Sequence, residues 1–263
     1  MDYQVSVVGG GISGALAALY LGKSRVKTCL IDRGKPSQRL SNPYIGKTTS
    51  LNLSSIASLR DVGIWEDIKK NAQEFNEIYV WDAEGSSSVQ FKAEEISRND
   101  LGVIVHNNII LESIYSKLEQ ISEVTLIEEE SLKEISQDQN KIELTSDSGL
   151  RIASELLIGA DGSLSKVRDF SRIPIRTWSY EQLAIVSSVT TEVLLDKTAF
   201  QIFTDTGPIA LLPLMVGENV ASLIWSTDEA YGKKLLELDN DELSQELSCL
   251  LYTSPSPRDR YIS

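Results

Sequence analysis

The apolar run YQVSVV (residues 3–8) stops abruptly at GGGISG and is followed by the small-residue stretch ALAALYLG. That order predicts a strand, a tight turn and a helix packed closely on a sheet. A second apolar run, VKTCLID (26–32), reads as a strand ending in an acid. Residues 51–60 and 64–70 have short helical patterns, with Gly63 as the stop between them. EIYVWDAEGSSSVQFKA (77–93) alternates and turns at Glu84-Gly85, which predicts a hairpin. Across 108–121, Ile110, Ile114, Leu118 and Ile121 fall on one helical face. Strand-like pieces follow at 124–128, 141–146 and 155–160, while the Ser- and Glu-rich stretch 129–140 reads as a solvated loop or hairpin edge. From 182 onward LAIVSSVTTE, TAFQIF, PIALLPL and VASLIWS, separated by turn residues, predict antiparallel strands.

A β-α-β start, a later return to it and a separate sheet predict an α/β protein of two discontinuous domains. Residues 1–75 and 100–173 are expected to form a Rossmann-like domain, and residues 76–99 and 174–248 part of an antiparallel-sheet domain. The last stretch, CLLYTSPSPRDRYIS (249–263), differs in composition from the acidic helix before it. It back-translates into a transposon-type sequencing adapter, so it is expected to be a non-native tail on a C-terminally truncated chain.

The formal net charge of −13 leaves no basic stripe to offset phosphate repulsion and argues against nucleic acid as a partner. Two widely spaced cysteines make no disulfide framework, and a reduced, cytoplasmic setting fits them. No stretch approaches the length of a membrane helix, which still allows attachment to a membrane surface.

The glycines carry the first candidate chemistry. Gly9-x-Gly11-x-x-Gly14 follows a strand and opens a helix. Gly9 allows the turn, Gly11 lets a pyrophosphate approach the backbone, and Gly14 lets helix and strand close up. Gly10, Ile12 and Ser13 complete the loop, and the helix N-terminus offers free N–H groups to phosphates. Asp32 follows Gly14 by 18 positions, near the usual spacing for an acid that accepts ribose hydroxyls. An acid there disfavours a 2′-phosphate, leaving FAD or NAD as the bound nucleotide. The bland alternative is a plain βαβ turn with a solvated Asp32.

LLIGADGSLSKVRDF (156–170) places Asp161 and Gly162 between an apolar run and a basic helical start. Asp161 could simply cap a helix at 163–170. The segment GADGSLSKVR also resembles the second flavin fingerprint of the class A FAD-dependent aromatic monooxygenases. In that family the matching aspartate touches the flavin ribityl or its phosphates. TSLNLSSIASLRDVGIWEDI (49–68), LGVIVHNNIILESI (101–114) and AFQIFTDTGPIALLPL (199–214) are similar to the ubiquinone-biosynthesis hydroxylase branch, and the likeness spans 1–248.

The resemblance implies a glutathione-reductase-type FAD-binding domain. It also implies hydroxylation of a polyprenylated aromatic ubiquinone precursor with O2 and with NADPH or NADH as transient reductant. Peripheral attachment to the inner membrane, or to a biosynthetic complex, would suit such a substrate. Arg33 and Lys47 join the candidate FAD contacts, Lys47 standing where the family carries an arginine, and Gln201, Phe203, Leu211 and Pro213 would line the substrate cavity. A third flavin fingerprint is absent before Ser248. His106, the single histidine, reads as structural; no residue set has metal-ligand spacing, and no side chain is assigned a catalytic role. A same-fold prenyl reductase or halogenase, and a noncatalytic nucleotide-binding module, remain alternatives.

Overall fold

A computed structural model describes residues 2–35, 46–85, 87–139, 141–217 and 219–252. In chain order, strand β1 (Asp2–Val8) leads through the glycine loop into helix α1 (Ile12–Lys23) and strand β2 (Thr28–Ile31). Strand β3 (Thr48–Leu51), α2 (Leu53–Asp61) and α3 (Trp65–Lys69) follow. Gly63, at φ +77°, separates the two helices in a conformation that glycine adopts without strain. Next come β4 (Gln73–Phe75), the hairpin β5 (Glu77–Asp82) and β6 (Ser88–Lys92), then β7 (Gly102–His106) and α4 (Asn107–Leu118). Strands β8 (Val124–Ile127), β9 (Leu132–Gln137), β10 (Ile142–Ser146) and β11 (Arg151–Gly159) precede the short α5 (Lys166–Phe170). The chain then forms β12 (Gln182–Thr190), β13 (Thr198–Thr204), β14 (Gly207–Pro213) and β15 (Val220–Asp228). Helices α6 (Glu229–Glu237) and α7 (Asn240–Tyr252) complete the described elements. The last helix runs across the compositional break at Cys249 without interruption.

The chain divides into two compact units, one of 1–45, 55–70 and 106–176, the other of 46–54, 71–105 and 177–263. In the first, the sheet order is β8-β2-β1-β11-β10-β9. Strands β8, β2, β1 and β11 run parallel, β10 pairs antiparallel with β11 and β9 antiparallel with β10, so the stretch 129–140 contributes an edge strand. Parallel neighbours require covered crossovers. Helices α1 and α4 supply them, packing against each other, and the buried Ile110, Ile114 and Leu118 occupy the helical face that their spacing predicts.

The second unit holds a six-stranded sheet of order β12-β15-β14-β13-β5-β6 and a small β3-β7-β4 sheet. Its core centres on Trp225, Ile202, Ile209 and Leu223, none more than 1% exposed. The sheet is antiparallel except at one seam. There β13 lies parallel to β5, with Gln201 opposite Val80, which corrects the expectation of a wholly antiparallel arrangement. The chain enters β13 after a long crossover from the hairpin, so direction at that seam is free to reverse.

His106 is 2% exposed, and burial pushes its imidazole pKa below the ordinary histidine value. The unfolded chain therefore binds the proton more readily than the folded one. Stability should be level above about pH 6.5 and fall as pH drops through the range where only unfolded histidine is charged. Urea unfolding at a series of pH values checks this, and His106→Gln should flatten that part of the profile.

Candidate functional site

Register alone brings the glycine loop and the Asp161 loop together. Val8 pairs with Ile31 on one side and with Gly159 on the other, so β1, β2 and β11 end level at one sheet edge. The next residues of each, Gly9, Asp32 and Ala160, emerge side by side. Gly9 N donates to the Ile31 carbonyl at 2.8 Å, and Ala160 N donates to the Val8 carbonyl at 2.7 Å. Carboxyl ends of parallel strands are where an α/β sheet binds its ligand.

The glycines serve different purposes. Gly9 sits at φ +108°, and a Cβ there would overlap the Ala160 carbonyl. A Cβ on Gly14 would overlap the Gly9 carbonyl, so both positions serve close packing of loop, helix and strand. Gly11 differs: its φ of −72° and ψ of 179° suit any residue, and its Cβ would meet nothing within 4 Å. Gly11 is also the N-cap of α1, with no side-chain cap and no acidic residue in the first turn. The open face at Gly11 and the uncapped N–H groups of Ile12, Ser13 and Gly14 form a cradle suited to a pyrophosphate.

Asp32 is 8% exposed, and both its oxygens are engaged by backbone. Oδ2 accepts from Gly10 N, and Oδ1 accepts from Gly34 N at 2.8 Å. A carboxylate oxygen can accept more than one hydrogen bond, so Asp32 has the chemistry both to tie the loop to β2 and to accept from a ribose hydroxyl. Arg33 beside it is exposed. One loop partner went unread in the sequence: the buried Tyr115 of α4 donates from Oη to the Gly10 carbonyl at 2.9 Å.

At the second loop, Asp161 Oδ1 accepts from Ser165 Oγ, and Oδ2 accepts from Val167 N at 3.2 Å. Ser165 in turn accepts from Arg168 N at 3.1 Å as the N-cap of α5. The helix therefore starts at Lys166, not at 163, because Ser165 stops its N-terminal growth. Two amides of its first turn, those of Val167 and Arg168, are taken by Asp161 and Ser165. Asp161 itself is half-buried, and Gly162 holds φ +88° beside it.

Lys47, Gln201, Phe203, Leu211 and Pro213 belong to the other unit. Lys47 is exposed just before β3. Phe200 pairs with Leu211 and Gln201 with Ala210, so directly opposed side chains divide the four sheet residues between two faces. Leu211 and Pro213 share the face of Ile202, and Leu211 is packed into the Trp225 core. Gln201 and the half-exposed Phe203 share the opposite face. The four residues expected to line a cavity together therefore do not share one sheet face. Leu211→Ala should cost about 2–4 kcal/mol of stability. Phe203→Ala should leave the unfolding free energy measured in urea within about 0.5 kcal/mol of the parent.

A family model described as an FAD binding domain matches residues 2–257. The mitochondrial ubiquinone biosynthesis monooxygenase COQ6 of Dictyostelium discoideum is 30% identical, over 97% of this chain and 58% of that protein. The 3-demethoxyubiquinol 3-hydroxylase of Escherichia coli K12 is 29% identical, over 93% of this chain and 62% of that protein. The chain thus spans about three-fifths of the length of these curated relatives. In three dimensions it is similar to PqsL, a probable FAD-dependent monooxygenase from Pseudomonas aeruginosa. The TM-score is 0.80 at 16% identity, covering 94% of this chain and 66% of that one, a likeness of fold. The p-nitrophenol 4-monooxygenase PnpA of Pseudomonas putida aligns with a TM-score of 0.75 at 17% identity, over 98% of this chain and 65% of that one. Matched along nearly its whole length, the chain belongs to the FAD-binding-domain family.

Proposed function

We propose that the chain is part of an FAD-dependent monooxygenase that hydroxylates an aromatic ring of a polyprenylated ubiquinone precursor, using NADPH or NADH and O2. The observation that carries the FAD site is the shared edge at which the Gly9–Gly14 loop, Asp32 and Asp161 emerge from neighbouring strands. The two ubiquinone-biosynthesis relatives favour the ring and the prenyl chain as substrate features.

In this reading the Gly11 N–H and the first turn of α1 hold the pyrophosphate, with charge-assisted hydrogen bonds and the positive end of the helix dipole. Asp32 orients a ribose by accepting from its hydroxyls. Asp161 accepts from hydroxyls further along the cofactor, with Gly162 allowing the backbone to approach. Arg33 adds positive charge toward phosphates. Gln201 and Phe203 give the substrate ring one polar and one aromatic contact. Bound FAD supplies electron transfer from the nicotinamide and activation of O2; the protein supplies binding, orientation and exclusion of water. No helix among the described residues is long and apolar enough to cross a membrane. Access to a prenylated precursor is assigned to surface attachment, with a biosynthetic complex as the other route.

The test is to reconstitute the protein with FAD and follow NADPH oxidation with a short-chain prenylated phenol. A product one oxygen atom heavier is the expected result. A reduced prenyl chain or a halogenated ring would replace hydroxylation with the rival chemistries, and a colourless protein that takes up no FAD would end the flavoenzyme reading.

A further inference from the structure

We propose that Tyr115 is a positioning residue for the cofactor: its hydroxyl aims and strengthens the Gly11 N–H that meets the FAD pyrophosphate. This rests on the FAD reading of the glycine loop.

The geometry concerns a single peptide unit. The Gly10 carbonyl and the Gly11 N–H belong to the same planar group, and no cis bond occurs among the described residues. In a trans peptide the two point in opposite directions. Tyr115 Oη, reaching from α4, donates to that carbonyl at 2.9 Å and fixes its direction toward the helix. The Gly11 N–H must then point away from α4, and the loop is uncrowded at Gly11, where a Cβ would meet nothing within 4 Å.

The preceding peptide is held as well. Gly10 N donates to Asp32 Oδ2, so Gly10 is tied through its N–H to β2 and through its carbonyl to α4. A side chain at Gly10 would run into both the Tyr115 hydroxyl and Asp32. Gly10 is thus a glycine because two side chains occupy the volume a Cβ would need. Tyr115 is 5% exposed, so water does not readily replace its hydroxyl.

Direction is half of the effect. A donor on a carbonyl polarises the peptide and makes its N–H a stronger donor, and chains of such bonds reinforce one another. The chain Tyr115 O–H, Gly10–Gly11 peptide, phosphate oxygen has that form. A phenylalanine at 115 keeps the ring and removes only the end of this chain.

Three proteins test the proposal: the parent, Tyr115→Phe and Tyr20→Phe. Tyr20 Oη also donates to a carbonyl, that of Ser58 at 2.8 Å, away from the glycine loop, and controls for the loss of a hydroxyl–carbonyl bond. FAD affinity is read by quenching of flavin fluorescence, and the Gly11 amide by the spectrum of ligand-free, 15N-glycine-labelled protein. Tyr115→Phe should bind FAD about two- to tenfold more weakly, the worth of one neutral hydrogen bond. It should also move the Gly11 amide resonance upfield, while Tyr20→Phe changes neither. Parent-like affinity in Tyr115→Phe, or equal weakening in both variants, would overturn the proposal. If the parent takes up no FAD, the cofactor reading fails by itself. The Gly11 resonance then decides the aiming, its shift supporting the clamp and its constancy refuting it. Should Tyr115→Phe not fold, 3-fluorotyrosine placed at 115 makes the hydroxyl a stronger donor. A downfield shift of Gly11 is then expected, and no shift overturns the proposal.

Discussion

Gly11→Ala should melt at the same temperature as the parent and bind FAD about ten- to a hundredfold more weakly. The two halves of this result have separate causes. In the ligand-free fold the new methyl group enters open space, and φ −72° with ψ 179° is ordinary backbone for alanine. With a pyrophosphate against the loop, the methyl group separates the Gly11 N–H from its phosphate oxygen, and one or two charge-assisted hydrogen bonds are lost. Gly9→Ala should behave in the opposite way. Its methyl group would overlap the Ala160 carbonyl in a backbone conformation that alanine resists, at a cost on the order of 3 kcal/mol or more before any ligand is added. Thermal melts alongside flavin quenching separate the two. An unstable Gly11→Ala, or one that binds FAD like the parent, would remove Gly11 from the cradle.

Asp32→Asn should be nearly as damaging as a deletion. The carboxylate accepts two backbone N–H groups at once, one from Gly10 and one from Gly34. An asparagine offers one oxygen and turns its amide N–H groups toward the other donor, so one buried N–H loses its partner. Each such loss costs about 1–3 kcal/mol, and the loop that holds Gly11 loses its tie to β2. The urea midpoint should fall, and FAD affinity should fall with it. Asp161→Asn should cost less in stability, because Asp161 is half-buried and Ser165 still caps α5 without it.

Much of this was legible in the sequence, for identifiable reasons. The β1–α1–β2 unit and the place of Asp32 follow from a local pattern, an apolar run broken by glycines at fixed spacing. Tyr115 was not legible as a loop partner, since it lies 105 residues from Gly10 and reads as one more apolar position on an amphipathic helix. Strands β3 and β4 are three or four residues long, too short to show a period. The start of α5 lies later than a cap at Asp161 predicts because Ser165, itself bonded to Asp161, accepts from Arg168 N and becomes the cap. Pairing register was also hidden. Alternation shows that Gln201 and Phe203 share a face, but which residues of β14 lie opposite them depends on how the turn closes.

The placement of β11 affects how the protein is made. Asp2 pairs with Ala153, so the strand that completes the nucleotide cradle is synthesised about 150 residues after the strand it joins. At ordinary translation speeds β1 waits roughly ten to thirty seconds for that neighbour. The emerging chain can form α1 and β2 early, and Gly9 can bond Ile31, but the other flank of the turn stays open until Ala160 leaves the ribosome. Cofactor capture therefore comes late in biosynthesis, and the open flank of β1 is the surface a chaperone would have to shield in the interval.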